Sequence, residues 1–195
     1  MESLLEDQSL FQEPGKPPSP LAHVGRLLLR ALSELVQTLL PAVVIALVIN
    51  LFLAQATVVE GMSMEPNLHN AERVIVEKVT YHFVHGPARG DVVVLHVSGQ
   101  EELLIKRVVA LPGETVEVRG GQLYINGRLV DEPWTDRQGG PDYPPTVVPP
   151  MHVFVMGDNR GQSNDSRSFG PIPVDQIVGR ACFVYWPPDQ FGPVH

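Results

Sequence analysis

Apolar residues follow two regimes along this chain, and the change falls near Val59. No residue from Leu35 to Val59 is charged, and Leu39 to Ala54 (LLPAVVIALVINLFLA) is apolar almost without a break rather than striped on one face. A helix with no polar face has nothing to offer water, so the run predicts a span in lipid. Leu35 to Ala56 as helix is about 33 Å long at 1.5 Å per residue, against a hydrocarbon core of about 30 Å. Pro41 falls in the first turns, where its missing N–H costs least, and Asn50 is a lone polar group able to bond within the helix or to a neighbour.

Beyond Val59 the pattern shortens to β-branched runs: Arg73 to Val79, Asp91 to Val97, Glu102 to Val109, Thr115 to Val118, Gln122 to Ile125, His152 to Met156 and Ile177 to Trp186. Such runs, with no long 3.6-residue period competing, predict strands. Asn126-Gly127, between QLYI and RLV, is a two-residue hairpin turn that requires positive φ at both positions. Gly139 to Pro150 (GGPDYPPTVVPP) is too rich in proline for an inner strand and predicts a surface loop. The expected fold is mainly β: one N-terminal transmembrane helix, then an open or barrel-like antiparallel domain with a small hairpin accessory region at about 120–150.

Residues 1–34 are polar and dotted with proline, with an amphipathic stretch from Leu21 to Glu34, and predict a flexible tail. The expected layout is thus a tail over 1–34, an anchor over 35–57 and a β domain over 58–195. Lys16, Arg26 and Arg30 precede the span and the next basic residue after it is Arg73, so the tail is expected in the cytoplasm and the β domain outside it. The competing reading is a cleaved secretory signal, for which Ala54-Gln55-Ala56 offers an A-x-A site. The length of the run and its preamble of more than thirty residues argue against it.

Composition narrows the function. The 195 residues include 14 Lys+Arg and 22 Asp+Glu, a net charge of −8 with no basic block, which gives a phosphate-tracking surface little to work with, so no nucleic-acid partner is expected. Gly and Pro number 17 and 19, a share well above the usual ~12%, as turns and extended chain demand. A single cysteine, Cys182 in the apolar run ACFVYW, excludes an intrachain disulfide and a thiolate metal cage, and reads as core. His82 and His85 have no supporting ligand motif, so neither a metal nor a cofactor is expected.

Three segments carry candidate chemistry. In GMSMEPNL (Gly61 to Leu68) small and turn-forming neighbours let the Ser63 hydroxyl project from a bend, although a serine in a turn also serves as a local backbone cap. In the strand LLIKRVVA, alternation puts Leu104, Lys106 and Val108 on one face and Ile105, Arg107 and Val109 on the other, so one of the two cations is expected to point inward. A lysine among aliphatic groups loses its proton more readily and becomes a base near neutral pH, whereas one on an edge strand snorkels to water. The third segment, GDNRGQSNDSRSFGP (Gly157 to Pro171), is a polar loop in which Asp165 and Arg167 can pair, and Ser163 or Ser166 can offer a hydroxyl to a nearby base.

Taken together, these segments resemble the bacterial type I signal (leader) peptidases, membrane-bound serine endopeptidases with a Ser/Lys dyad. The resemblance runs from about Val58 to Trp186, through a serine box at SMEPNL, a strand box at RVIVEKVTY, an RGD box at RGDVVVL, a lysine box at KRVVALPGE and a final box at GDNRGQSNDSR, in the family's order. It implies that Ser63 is the nucleophile, Lys106 the general base, Ser163 the residue that orients the lysine, and Asp165 and Arg167 a bracing pair. It further implies an acyl-enzyme, an oxyanion held by the Ser63 N–H, and a substrate site for small residues drawing on Val59, Gly61, Met62, Leu68 and Ile105. One branch of the family has a serine where this chain has Gly61, so a second oxyanion donor is not supplied there. The implied substrates are signal-peptide-bearing preproteins, bound extended like an added strand, at a plasma membrane whose bilayer holds the anchor, with no stable protein partner. Two rivals remain: a self-cleaving repressor-type Ser/Lys hydrolase, which lacks a span, and a tethered β module that binds peptides without cutting them.

Overall fold

A computed structural model describes residues 20–99, 101–135 and 139–195. The start of the expected tail, Lys16 included, and residues 136–138 of the expected accessory region lie outside the described residues, as does the His82 side chain. The chain divides into two units between Ala46 and Leu47.

Helix α1 runs Pro20–Val48, with Pro41 inside it, and a wider π-type turn continues to Leu53. The boundary expected near Leu35 is therefore not a break: the amphipathic Leu21 to Glu34 stretch and the apolar run form one helix, because neither Gly nor Pro interrupts them between Gly25 and Pro41. Leu27–Leu53 is long and apolar enough to cross a membrane, and its 27 residues rise about 40 Å. The helix stops three residues earlier than expected. Ala54 turns extended, and Ala54–Val58 becomes strand β1, paired residue by residue with Arg73–Glu77. The β-branched Thr57 and Val58 favour that state, and the ladder satisfies backbone groups that a last helical turn leaves open.

The remaining strands are β2 (Arg73–Glu77), β3 (Val92–Leu95), β4 (Leu104–Ala110), β5 (Thr115–Arg119), β6 (Gln122–Ile125), β7 (Arg128–Leu129), β8 (Tyr143–Val147), β9 (His152–Met156), β10 (Ile172–Pro173), β11 (Ile177–Trp186) and β12 (Gly192–Pro193). Among the described residues they make two antiparallel sheets. The larger has the order β1-β2-β11-β3-β4-β9-β10, with β12 added on β11, and the smaller the order β7-β6-β5-β8. Apart from α1 and a four-residue helical turn at Ser166–Phe169, the mainly β expectation holds.

The central strands β3, β4 and β9 of the larger sheet are buried on both faces. Val92 and Val94 join one apolar cluster with Val59, Leu68, Val74 and Ile105, whereas Val93 and Leu95 join a second with Val108, Val153 and Val155. Alternate residues of one strand thus feed two cores, which is why VVVL reads as a continuous apolar run. A third cluster, with Val116, Val118, Leu123, Ile125 and Phe154, lies under the smaller sheet. The Asn126-Gly127 turn has φ of 53° and 74°, the double positive that the hairpin requires.

Gly139 to Pro150 departs from the expected loop. Tyr143–Val147 pairs with β5, though only at the edge of the smaller sheet, with Thr146 and Val147 opposite Val116 and Thr115, and Tyr143 opposite Val118. Pro144 and Pro145 fall in the irregular step of that register, where no ladder N–H is required of them.

Candidate active site

Three chain segments converge. Val59, whose N–H donates to the Glu72 carbonyl at 2.8 Å, ends the β1 edge, and the chain then bends through Gly61 at φ +83°. That φ is open to glycine at no steric cost, and the Gly61 N–H donates to Asn70 Oδ1 at 2.8 Å. The turn closes with the N–H groups of Asn67 and Leu68 donating to the Met64 carbonyl. Ser63 sits at its crest, half-buried, and its own N–H donates to none of the turn's backbone carbonyls.

Lys106 lies mid-strand in β4, opposite Val93, and is 3% exposed. Its Nζ is 2.8 Å from Ser63 Oγ and donates to the Ile105 carbonyl at 2.8 Å. Burial pulls its pKa down to about 8, against the opposing pull of Asp165 and Asp158. A neutral amine beside a hydroxyl can accept that hydroxyl's proton.

Arg107 is buried as well, at 1% exposure, so both cations of the strand point into covered space rather than one of them. The cause is the two-sided core: from Ile105 to Ala110 every residue of β4 is buried. Arg107 is compensated by Asp158, with Nε to Oδ1 at 2.8 Å and Nη2 to Oδ2 at 2.6 Å, and its guanidinium lies 4.9 Å from the centre of the Trp134 ring. Asn67 also donates to Asp158 Oδ2 at 2.8 Å, which ties the Ser63 turn to the same carboxylate.

The third segment follows β9. The Asn159 N–H donates to the Ser63 carbonyl at 3.1 Å, and Gly157 packs against both Ser63 and Ser163. Asp165 and Arg167 pair as expected, Nε to Oδ1 at 2.9 Å and Nη2 to Oδ2 at 2.8 Å, and Asp165 also accepts from the Gly157 N–H at 3.0 Å. Burial alone would raise the Asp165 carboxyl, but the Arg167 hydrogen bonds and charge and the Gly157 N–H outweigh it and hold it below its ordinary value. The Ser163 hydroxyl leans toward the same carboxylate outside hydrogen-bond geometry. It is buried, makes no hydrogen bond to Lys106, and is without a partner among the described residues.

A groove of about 480 Å³ ends at Lys106. Its walls are Ala56 to Val58 with Glu60 on one side and Glu102 to Ile105 on the other. Of the residues expected to bind substrate, Ile105 lines this groove and Gly61 and Met62 are exposed beside Ser63, whereas Val59 and Leu68 are sealed in the core cluster beneath. Cys182 is partly buried, with its thiol raised by burial and directed at the Ile75 carbonyl.

Two supports escaped the sequence reading. The Arg107–Asp158 pair could have been sought from a second cation in an apolar strand, which demands a buried acid. The pair of Arg160 with Glu132, at 2.6 and 2.8 Å and also buried, gave no such signal, because Glu132 lies in an ordinary-looking linker.

A family model described as signal peptidase, peptidase S26, matches residues 32–186. Signal peptidase I of Leptolyngbya laminosa is 40% identical over 96% of this chain and 96% of its own length. Signal peptidase I S of Bacillus subtilis is 42% identical over 81% of this chain and 91% of its own. The crystal structure of a signal peptidase I from Enterococcus faecalis matches with 32% identity and a TM-score of 0.43, covering 48% of this chain and 95% of that one. The dyad-like contact thus lies in a chain that belongs to the signal peptidase family, peptidase S26, and is a peptidase.

Proposed function

We propose that this chain removes N-terminal signal peptides from exported preproteins as a membrane-anchored serine endopeptidase, with Ser63 as nucleophile and Lys106 as general base. The observation that carries the reading is the 2.8 Å approach of Lys106 Nζ to Ser63 Oγ. As Oγ attacks the scissile carbonyl carbon, the amine's lone pair takes the hydroxyl proton. The tetrahedral oxyanion meets the uncommitted Ser63 N–H, and Gly61 adds no side-chain donor there. Collapse breaks the C–N bond, and the Lys106 ammonium returns its proton to the departing amine of the mature chain. Water, deprotonated in turn by Lys106, attacks the acyl ester and frees the signal peptide's carboxylate and Ser63.

A neutral lysine has two N–H bonds and one lone pair. One N–H goes to the Ile105 carbonyl. In this reading the other goes to Ser163, whose buried hydroxyl is uncommitted, which leaves the lone pair aimed at Ser63. Asp165 and Arg167 brace the loop that carries Ser163. Ile105, Gly61 and Met62 contact the substrate directly, and Val59 and Leu68 shape the floor from beneath. The expected layout completes the reading: a cytoplasmic tail, a single anchor in the plasma membrane and an extracytoplasmic catalytic domain. Anchorage then keeps enzyme and substrate at one bilayer face and raises their effective concentration.

The test is cleavage of a preprotein by the full chain in detergent. Ser63→Ala and Lys106→Ala should each lower turnover by about 10³ or more while the circular dichroism spectrum stays that of the parent. Turnover preserved in both variants would refute the dyad.

A further inference from the structure

We infer that the groove reads charge as well as size: Glu60 and Glu102, one on each wall, select preproteins with a basic or neutral rather than an acidic residue a few positions before the cleaved bond. This rests on the reading that the groove receives the acyl side of the substrate.

Both walls run toward the dyad. Ala56 to Glu60 leads into Ser63, and Glu102 to Ile105 leads into Lys106. A peptide lying extended between them advances about 3.3 Å per residue. With its scissile carbonyl at Ser63, substrate residues about three to five before the cut come level with Glu102, which is four residues before Lys106. Those nearer the cut come level with Glu60, which stands just before the Gly61 bend that leads into Ser63.

The two carboxylates are otherwise idle. Both are exposed, and neither has a hydrogen-bond or ion-pair partner among the described residues. Asp158, Asp165 and Glu132, the buried carboxylates near the dyad, are each committed to an arginine. Nor does the base depend on the groove pair, since the carboxylates that bear on Lys106 are Asp165 and Asp158. Among the described residues Lys106 is the one cation on the groove wall, and in the proposed mechanism it works as the neutral amine, which leaves the two groove carboxylates uncompensated. An acidic substrate side chain would be repelled there and a basic one attracted. Exposed pairs of this kind are worth up to about fivefold each.

Three peptides that differ only at the second and fourth residues before the cut, carrying Lys, Gln or Glu while the first and third stay small, would be compared by kcat/KM with the full chain in detergent. The expected order is Lys above Gln above Glu, with a Lys-to-Glu ratio of about fivefold or more that shrinks in high salt and falls toward one in the Glu60→Gln, Glu102→Gln double variant. A ratio near one in the parent chain, or a ratio that survives in the double variant, overturns the assignment. Cleavage that persists in Ser63→Ala overturns instead the dyad reading beneath it.

Discussion

A Cβ placed on Gly157 would lie 2.5 Å from the carbonyl oxygen of Ser63 and 2.5 Å from the Ser163 Cβ. Neither obstacle is the far end of a flexible side chain, so any larger residue at this position moves the loop, the Ser63 turn or both. Gly157→Ala should therefore lower kcat by about 10- to 100-fold, since a shift near 1 Å at a reacting atom has that effect. Steady-state kinetics on a preprotein check it. An unchanged kcat would mean that the loop and the serine turn do not move together.

Activity should climb with pH through a transition near 8, where Lys106 loses its proton in the folded chain. Under the proposed mechanism the limb is set by the Lys106 amine, so kcat/KM measured from pH 6 to 10 should be about tenfold lower at pH 7 than on the plateau. A flat profile across that interval would contradict the assignment.

The same amine makes stability depend on pH. Folded Lys106 deprotonates near 8, whereas an unfolded lysine does so at 10.5. The penalty for holding a buried ammonium is thus fully present below pH 8 and disappears as pH rises to 10.5. Lys106→Met should be the more stable protein by up to roughly 3 kcal/mol at pH 7, with the gap closing between pH 8 and 10.5. Denaturant unfolding of both proteins across this interval tests the sign. A gap that widens with pH would reverse the argument.

Glu132 and Arg160 are each about 1% exposed and bonded to one another twice, and Arg160 Nε donates to the Gly157 carbonyl at 3.0 Å. Glu132→Ala strands a guanidinium inside the protein and should cost about 3–5 kcal/mol, whereas replacing both partners by apolar residues of similar volume should recover most of that loss. Chemical denaturation of the single and double variants separates the two outcomes. Equal losses in both would show that the pair acts as more than mutual compensation.

Much of the fold was legible because its signals are local. Gln122 to Ile125, His152 to Met156 and Ile177 to Trp186 were bounded by turn residues, and their strands begin and end where the runs do. Asn126-Gly127 declared its own φ angles. What stayed hidden depends on distant partners. Nothing in AQATV distinguishes the last turn of a helix from a strand until RVIVE is alongside it. Nothing in Tyr143-Pro144-Pro145 reveals that a register irregularity will absorb the prolines. Alternation along β4 separated Lys106 and Arg107 onto two faces, but only the second core shows that both are covered. At the candidate site, Ser63, Lys106 and the Asp165–Arg167 pair were visible as residue types in motifs. The placing of Val59 and Leu68 was not, because an apolar residue beside a groove and one beneath it look the same in sequence.

The sheet edges also bear on how copies of this protein behave when crowded. β10 and β12 are two residues long and each includes a proline, β7 is two residues long, and β8 carries Pro144 and Pro145. Each is a poor template for edge-to-edge aggregation, which needs a run of free N–H and C=O groups. Among the described residues, only β1 presents a proline-free edge of five residues, and that edge borders the groove. If the proposed substrate lies in that groove, a client chain and a second copy of this protein would compete for the same edge.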